Sequence, residues 1–231
     1  MITTYQRTGA YHKKNKLECQ DVIFQSESNT ATIIAIADGV SSCENSKRGA
    51  EIACKAVSDI MLGETEYIFA SPREKAAGLL ISYVQGKLRE EAAKGNSSFE
   101  SYSSTLSFVC FNKLSGEIMS FVLGDSLLYL MMDGKLTLAC TTEHFSGNQT
   151  YTTTTDGVEK VVEIKRLYSY RNVKFVLATD GAWREFYENG AVCSSAEIAM
   201  LNNDIAAYLD NKPCSDDCSI AIFDIAAEEG E

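Results

Sequence analysis

The sequence predicts an α+β fold built on mainly antiparallel sheet. Three features point to it: strand-like segments outnumber helical ones, neighbouring strands are joined by hairpin-type turns, and the two clearest amphipathic helices follow one another directly. The regular alternation of strand and helix that marks a doubly wound sheet is missing. So are a glycine-rich phosphate loop and a dinucleotide fingerprint, which weakens nucleotide-binding readings.

Asp21 to Ser26 and Thr32 to Ala37 are β-branched or apolar runs around Glu27-Ser28-Asn29-Thr30, a hairpin entering the core. From Ser46 to Leu62, the residues Ala53, Ala56, Val57, Ile60 and Met61 recur at three and four, the spacing of one buried helical face, and Gly63 ends the run. A second helix is predicted from Ser71, with Pro72 in its first turn. It carries Ala77, Leu80, Ile81, Val84 and Leu88 on one side and closes at Lys94-Gly95-Asn96. A meander follows: Ser103 to Phe111, Glu117 to Leu123, Ser126 to Met132 and Lys135 to Cys140, with turn chemistry at Lys113-Leu114-Ser115-Gly116 and Asp133-Gly134. Thr141 to Asp156 is polar and threonine-rich, a long surface loop of the kind that often carries function. A strand over Lys174 to Thr179, a helical stretch over Ser194 to Asp210 and a strand over Ser219 to Ile225 complete the order, and Ala226 to Glu231 reads as a frayed acidic tail.

Composition sets the outer bounds. With 231 residues, 45% of them hydrophobic and 23% charged, the chain can bury a full core and is expected to form one domain, 1–231. Lys and Arg number 21 against 32 Asp and Glu, a net charge of -11 that disfavours polymeric nucleic acid and anionic membrane as partners. The carboxylate excess suits divalent cations, which prefer oxygen ligands. Met1 to Tyr11 lacks a charged region followed by an apolar core, and no apolar run approaches the roughly 20 residues that span a bilayer, so a cytoplasmic protein is expected. The eight cysteines are scattered and read as reduced thiols. Cys214 and Cys218 lack the two further soft ligands that zinc needs, since the histidines, His12 and His144, are remote.

Four aspartate segments carry the functional reading. Ile33-Ile34-Ala35-Ile36-Ala37 leads into Asp38-Gly39, and Phe175-Val176-Leu177-Ala178-Thr179 leads into Asp180-Gly181. Asp125 follows Phe121-Val122-Leu123-Gly124, and Asp216-Asp217 precedes the apolar run from Cys218. One strand-end Asp-Gly is ordinarily turn chemistry. Four such sites are harder to explain that way, because buried carboxylates are costly unless paired or metal-bound and few cations lie near them in sequence. Carboxylates converging at one sheet edge are what a pair of hard cations needs, and two-metal sites of this kind hydrolyse phosphate esters.

The ordered set Glu18-Cys19-Gln20-Asp21, Ala35-Ile36-Ala37-Asp38-Gly39, Gly124-Asp125-Ser126, Ala178-Thr179-Asp180-Gly181-Ala182-Trp183 and Asp216-Asp217-Cys218-Ser219 resembles the metal-dependent protein phosphatases of the 2C type, most of all their compact bacterial branch. The resemblance spans roughly Gly9 to Ile225. It implies a four-layer α-β-β-α sandwich, with a central antiparallel β-sandwich flanked by helices and two Mn2+ or Mg2+ ions at one end. In that family's pattern Asp38 bridges the ions, the Gly39 carbonyl sits on one of them, and Asp180 and Asp216 serve the other. Asp21 is a ligand or holds coordinated water, and Asp125 matches a third, weaker metal position. Asp38 and Asp180 are thus the residues expected to carry catalysis, and the loop over about 141–157 corresponds to a substrate-proximal flap. The implied activity is phosphoserine/phosphothreonine hydrolysis by direct attack of water, on a phosphoprotein supplied by an opposing kinase, with a monomer as the default state.

Three positions depart from that pattern. Gln20 replaces a common glutamate, Val40 stands where some members place a histidine proposed as general acid, and Arg184 follows Trp183 where aspartate is common. The arginine that grips substrate phosphate in many members has no clear counterpart. His12 is the first substitute, with Lys13, Lys14 and Lys16 close behind. These departures motivate an alternative, a weak or inactive pseudophosphatase acting as a regulatory binding module. A two-metal nuclease or nucleotide hydrolase would use similar carboxylates, but the net charge of -11 makes polymeric nucleic acid a poor substrate for it.

Overall fold

The computed structural model describes residues 1–132, 134–140, 150–168, 172–188 and 191–225. In chain order these form β1 (Ile2–Arg7), α1 (Ala10–Asn15), β2 (Val22–Glu27), β3 (Ala31–Ala37), α2 (Ser46–Gly63), α3 (Thr65–Ala70), α4 (Arg73–Gly95), β4 (Leu106–Asn112) and β5 (Glu117–Leu123). There follow β6 (Leu127–Met132), β7 (Lys135–Cys140), β8 (Glu163–Tyr168), β9 (Val173–Ala178), α5 (Asp180–Trp183), β10 (Tyr187–Glu188), β11 (Ala191–Val192), α6 (Ser194–Leu201), α7 (Ile205–Asp210) and β12 (Cys218–Ile225).

Two antiparallel sheets form, one ordered β1-β12-β9-β6-β7 and the other β2-β3-β4-β5-β8, with β10 and β11 as a separate hairpin. The period-two alternation of strand side chains explains why β3 reads as an unbroken apolar run. Its Ile34 and Ile36 meet Leu128, Phe175, Leu177 and Phe223 between the sheets. Its Ile33 and Ala35 point the other way, into a core shared with Val57 of α2 and Leu80, Val84 and Leu88 of α4. On the far side of the first sheet, Tyr129, Val176 and Ile220 pack against Met200 of α6 and Leu209 of α7. The layers are therefore helix, sheet, sheet, helix, as expected.

The helical boundaries differ where local chemistry intervenes. Ser71 is extended at φ -74 and ψ 144, because the residue before a proline is pushed out of the helical region. Pro72 therefore precedes α4 as its cap residue, and Thr65–Ala70 forms the separate α3. The predicted stretch from Ser194 to Asp210 breaks into α6 and α7 around Asn203, which has a positive φ of 56. Strands β1 and β8 were not expected as elements, since each lies at a sheet edge and is mixed in polarity. Asp133, residues 141–149 with His144 and much of the expected flap, and residues 226–231 lie outside the described residues. Among the described residues no helix is long and apolar enough to cross a membrane.

Strand register gathers the aspartates. Val22 pairs with Ala37, so Asp21 and Asp38 leave their strands side by side. Ala178 pairs with both Ile220 and Leu127, which brings the approach to Asp180 beside the Asp125 turn and the start of β12. All five acidic positions thus fall at one end of the sandwich.

Candidate metal centre

A cleft of about 520 Å³ opens at that end, lined by Asp38, Gly39, Val40, Asp125, Asp180 and Asp216 together with hydroxyl side chains. Those hydroxyls belong to Ser41, Ser42, Thr105, Thr150, Thr152 and Thr155, so the described part of the threonine-rich loop forms one wall. A larger hollow of about 740 Å³ near Met1, Phe111 and Phe223 gathers no comparable carboxylate set.

Asp38 is fixed through its backbone: its N–H donates to Thr105 Oγ1 at 2.9 Å, and its carbonyl accepts the Thr105 N–H at 2.8 Å. Burial, followed by the neighbouring carboxylates of Asp21, Asp180 and Asp125, holds the Asp38 carboxyl well above the usual carboxylate range. Asp21, buried just before β2, accepts the Thr179 hydroxyl at 2.9 Å on Oδ2, and burial pushes its carboxyl up to about 7 against the hydrogen bonds it receives. Asp180 opens α5. Burial and then Asp125 push it up to about 6, opposed by Arg184, whose Nη2 lies 2.9 Å from Asp180 Oδ2. Asp125 accepts the Thr150 hydroxyl at 3.4 Å, and its backbone carbonyl accepts Trp183 Nε1 at 2.9 Å.

The other buried oxygens show what is missing from this balance. Among the described residues no donor reaches Asp21 Oδ1, Asp180 Oδ1 or the side-chain oxygen of Gln20. Mutually repelling carboxyls with unsatisfied oxygens are the donor set that hard divalent cations complete. Among the described residues no three His, Cys, Asp or Glu side chains are gathered tightly enough to chelate an ion by themselves. An ion held here would complete its coordination shell with water, as Mg2+ commonly does.

Of the residues expected to grip phosphate, His12 is placed otherwise. Its side chain is 2% exposed and its Nδ1 lies 2.7 Å from Asp217 Oδ2, so the imidazole faces inward rather than into the cleft. A carboxylate can only accept, so the imidazole donates. Asp217, itself 3% exposed, also accepts the N–H of Gly9 at 2.8 Å and of Gln20 at 2.6 Å. This buried acceptor ties α1 and the approach to Asp21 to the segment that delivers Asp216. The family's pattern gives Asp216 a metal role and leaves Asp217 without one. The doubling of the aspartate was the available signal that one carboxylate could face the cleft while the other braced the scaffold. Lys13, Lys14 and Lys16 are exposed on and just beyond α1, and none of them lines the cleft.

Gly181 shows how closely the site is packed, since a Cβ there would lie 2.0 Å from the Asp217 carbonyl oxygen. Only glycine lets the turn after β9 lie against the start of β12.

A family model described as protein phosphatase 2C matches residues 8–220. No curated protein matches the chain. Among solved structures, it is similar to the catalytic domain of the serine/threonine phosphatase PstP in complex with two manganese ions, at 12% identity over 98% of each chain with a TM-score of 0.70. It is also similar to the S. agalactiae serine/threonine phosphatase, at 15% identity over 96% of this chain and 98% of that one, TM-score 0.66. RsbX in complex with magnesium is similar at 15% identity over 96% of this chain and 92% of that one, TM-score 0.59.

Proposed function

The chain belongs to the protein phosphatase 2C family, and we propose that it hydrolyses phosphoserine and phosphothreonine in a phosphoprotein substrate with Mn2+ or Mg2+ bound in the cleft. The observation that carries this reading is the set of mutually repelling carboxyls of the buried Asp21 and Asp180 and the half-buried Asp38, with Asp21 Oδ1 and Asp180 Oδ1 lacking a donor among the described residues. In this reading Asp38, Asp180 and Asp216 with the Gly39 carbonyl hold two ions. Asp21 supports one of them, and Asp125 serves a third, weaker site. Bound divalent cations lower the pKa of water and stabilise charge on the phosphoryl group. The chain's own groups do the rest: Thr105 and Thr179 hold Asp38 and Asp21 in place, and the hydroxyl wall orients the phosphate ester. Val40 contributes no proton, so the leaving alkoxide takes one from solvent in the open cleft. A kinase that phosphorylates the substrate is the opposing activity, and the enzyme acts as a cytoplasmic monomer over a single domain.

The test is hydrolysis of a phosphothreonine peptide and p-nitrophenyl phosphate by metal-stripped protein, with Mn2+, Mg2+ or EDTA added back. Activity should require metal and fall by more than about a hundredfold in Asp38→Asn, since even residues behind a metal ligand commonly cost 10–100-fold. Equal turnover in EDTA would refute the reading.

Gln20 and Val40 favour one alternative, a pseudophosphatase that binds without turnover. Gln20 presents a neutral, unsatisfied oxygen where a charged ligand would bind an ion more tightly. Calorimetric titration with Mn2+ separates the two: two sites support the enzyme, and none supports the binding module.

A further inference from the structure

Helix α1 reverses the charge of the molecule locally. In a chain of net charge -11, Lys13, Lys14 and Lys16 are exposed, and among the described residues none forms a salt bridge. Many cations elsewhere are paired, including Lys47 with Glu18, Arg48 with Glu51 and Glu91, Lys55 with Asp59 and Lys174 with Asp224. Beside the three lysines stand Tyr11 and Leu17, 62% and 48% exposed. Lys16 also adopts a left-handed conformation, φ 57 and ψ 32, at the end of α1. Glycine or asparagine is the usual residue there, because a longer side chain crowds the backbone in that conformation.

This patch is fixed to the candidate metal centre. The N–H groups of Ala10 and Tyr11 donate to the carbonyls of Cys214 and Ser215, each at 3.2 Å. Gly9 lies so close to Asp216 that a Cβ would meet its backbone at 2.2 Å. With His12 bonded to Asp217, α1 is held firmly against the segment that brings Asp216 to the cleft.

We propose that α1 is a docking surface for the substrate, binding an acidic segment that flanks the phosphorylated residue. The lysines meet its carboxylates, and Tyr11 and Leu17 cover its apolar side chains. The proposal rests on the phosphatase reading above. Charge complementarity selects this occupant. An extended polyanion would run beyond α1 and meet the excess carboxylates of the rest of the surface at close range, whereas a short acidic segment confined to α1 lies within the Debye length of about 8 Å of the three lysines and is screened from the more distant negative charges.

Two phosphothreonine peptides that differ only in flanking residues, Asp/Glu in one and Lys/Arg in the other, test it with Mn2+ present. The expected result is a kcat/KM ratio of about ten in favour of the acidic peptide at low salt, shrinking as salt is added. In a Lys13→Ser, Lys14→Ser, Lys16→Gly variant the ratio should fall to about one. A Lys14→Glu variant, a single exposed change, should lower it in the same direction. A parallel arm measures fluorescence anisotropy of a labelled, unphosphorylated acidic peptide with metal-stripped protein. Equal hydrolysis of both peptides by the wild type, or a preference that survives in both variants, overturns the docking proposal and leaves the phosphatase reading standing. If neither peptide is hydrolysed, the phosphatase reading falls and anisotropy decides: binding lost in the variants supports docking, and no binding overturns it.

Discussion

Asp217 offers the sharpest test of how the site is held. Replacing it with Asn keeps the shape but leaves one oxygen where the structure uses two. The present carboxylate accepts Gly9 N–H on Oδ1 at 2.8 Å, and His12 Nδ1 and Gln20 N–H on Oδ2 at 2.7 and 2.6 Å. If the amide oxygen faces His12 and Gln20, its NH2 meets the Gly9 N–H, donor against donor. Hydrogen bonds to a charged group contribute about 1.5–3 kcal/mol and neutral ones about 0.5–1.5, so weakening two and losing one should cost about 5 kcal/mol. For a chain of this size each kcal/mol moves Tm by about 2–4 °C, giving an expected fall of about 10–20 °C. The assay is thermal unfolding in EDTA, followed by circular dichroism, with urea titration to confirm an unchanged m-value. A Tm within about 2 °C of wild type would refute the bracing role. If activity and Mn2+ affinity were lost at unchanged Tm, Asp217 would instead act as a ligand.

Three further outcomes are expected. In metal-stripped protein the folded-state pKa values of Asp21 and Asp180 lie near 7 and 6, above their unfolded values, so between about pH 4 and 7 the folded state binds more protons. Stability should therefore fall as pH rises through that window. Tm in EDTA should be higher at pH 5.5 than at pH 7.5, Mn2+ should narrow the difference, and a higher Tm at pH 7.5 without metal would contradict the assignment. Gly181→Ala forces a Cβ to 2.0 Å from the Asp217 carbonyl oxygen and should destabilise by more than about 2 kcal/mol. Gly86→Ala, in the interior of α4 with nothing within 4 Å, should stabilise by about 0.5–1 kcal/mol, and urea unfolding of the pair tests whether backbone proximity sets the sign.

Much of the molecule follows from local pattern. Apolar runs ending in Asp38 and Asp180 identify strands whose ends carry carboxylates, and the three-and-four spacing of α2 and α4 marks their buried faces, because both depend on residues adjacent in the chain. The edge strands β1 and β8 were harder to find. They gain their order from hydrogen bonds to β12 and β5, distant partners that leave no strong apolar run in their own sequence. The break before α4 was visible as Ser71-Pro72, but proline in a first turn and proline as a cap look alike until the backbone is placed.

The same division runs through the candidate site. Its acidic residues could be named from the chain because each sits in a short motif, and the charge of -11 already favoured cations as partners. The fate of His12 depended on tertiary structure. Beside three lysines it resembles a phosphate contact, yet it is turned inward because a buried carboxylate 205 positions away must be satisfied. The effect of Arg184 likewise had no sign until its guanidinium was found on Asp180, where it lowers the carboxyl's affinity for protons. Composition and local spacing fix which groups can ionise, coordinate or donate. Which partner each one meets is a matter of long-range packing, since the free energy of a buried charge is set by neighbours that the chain order does not place beside it.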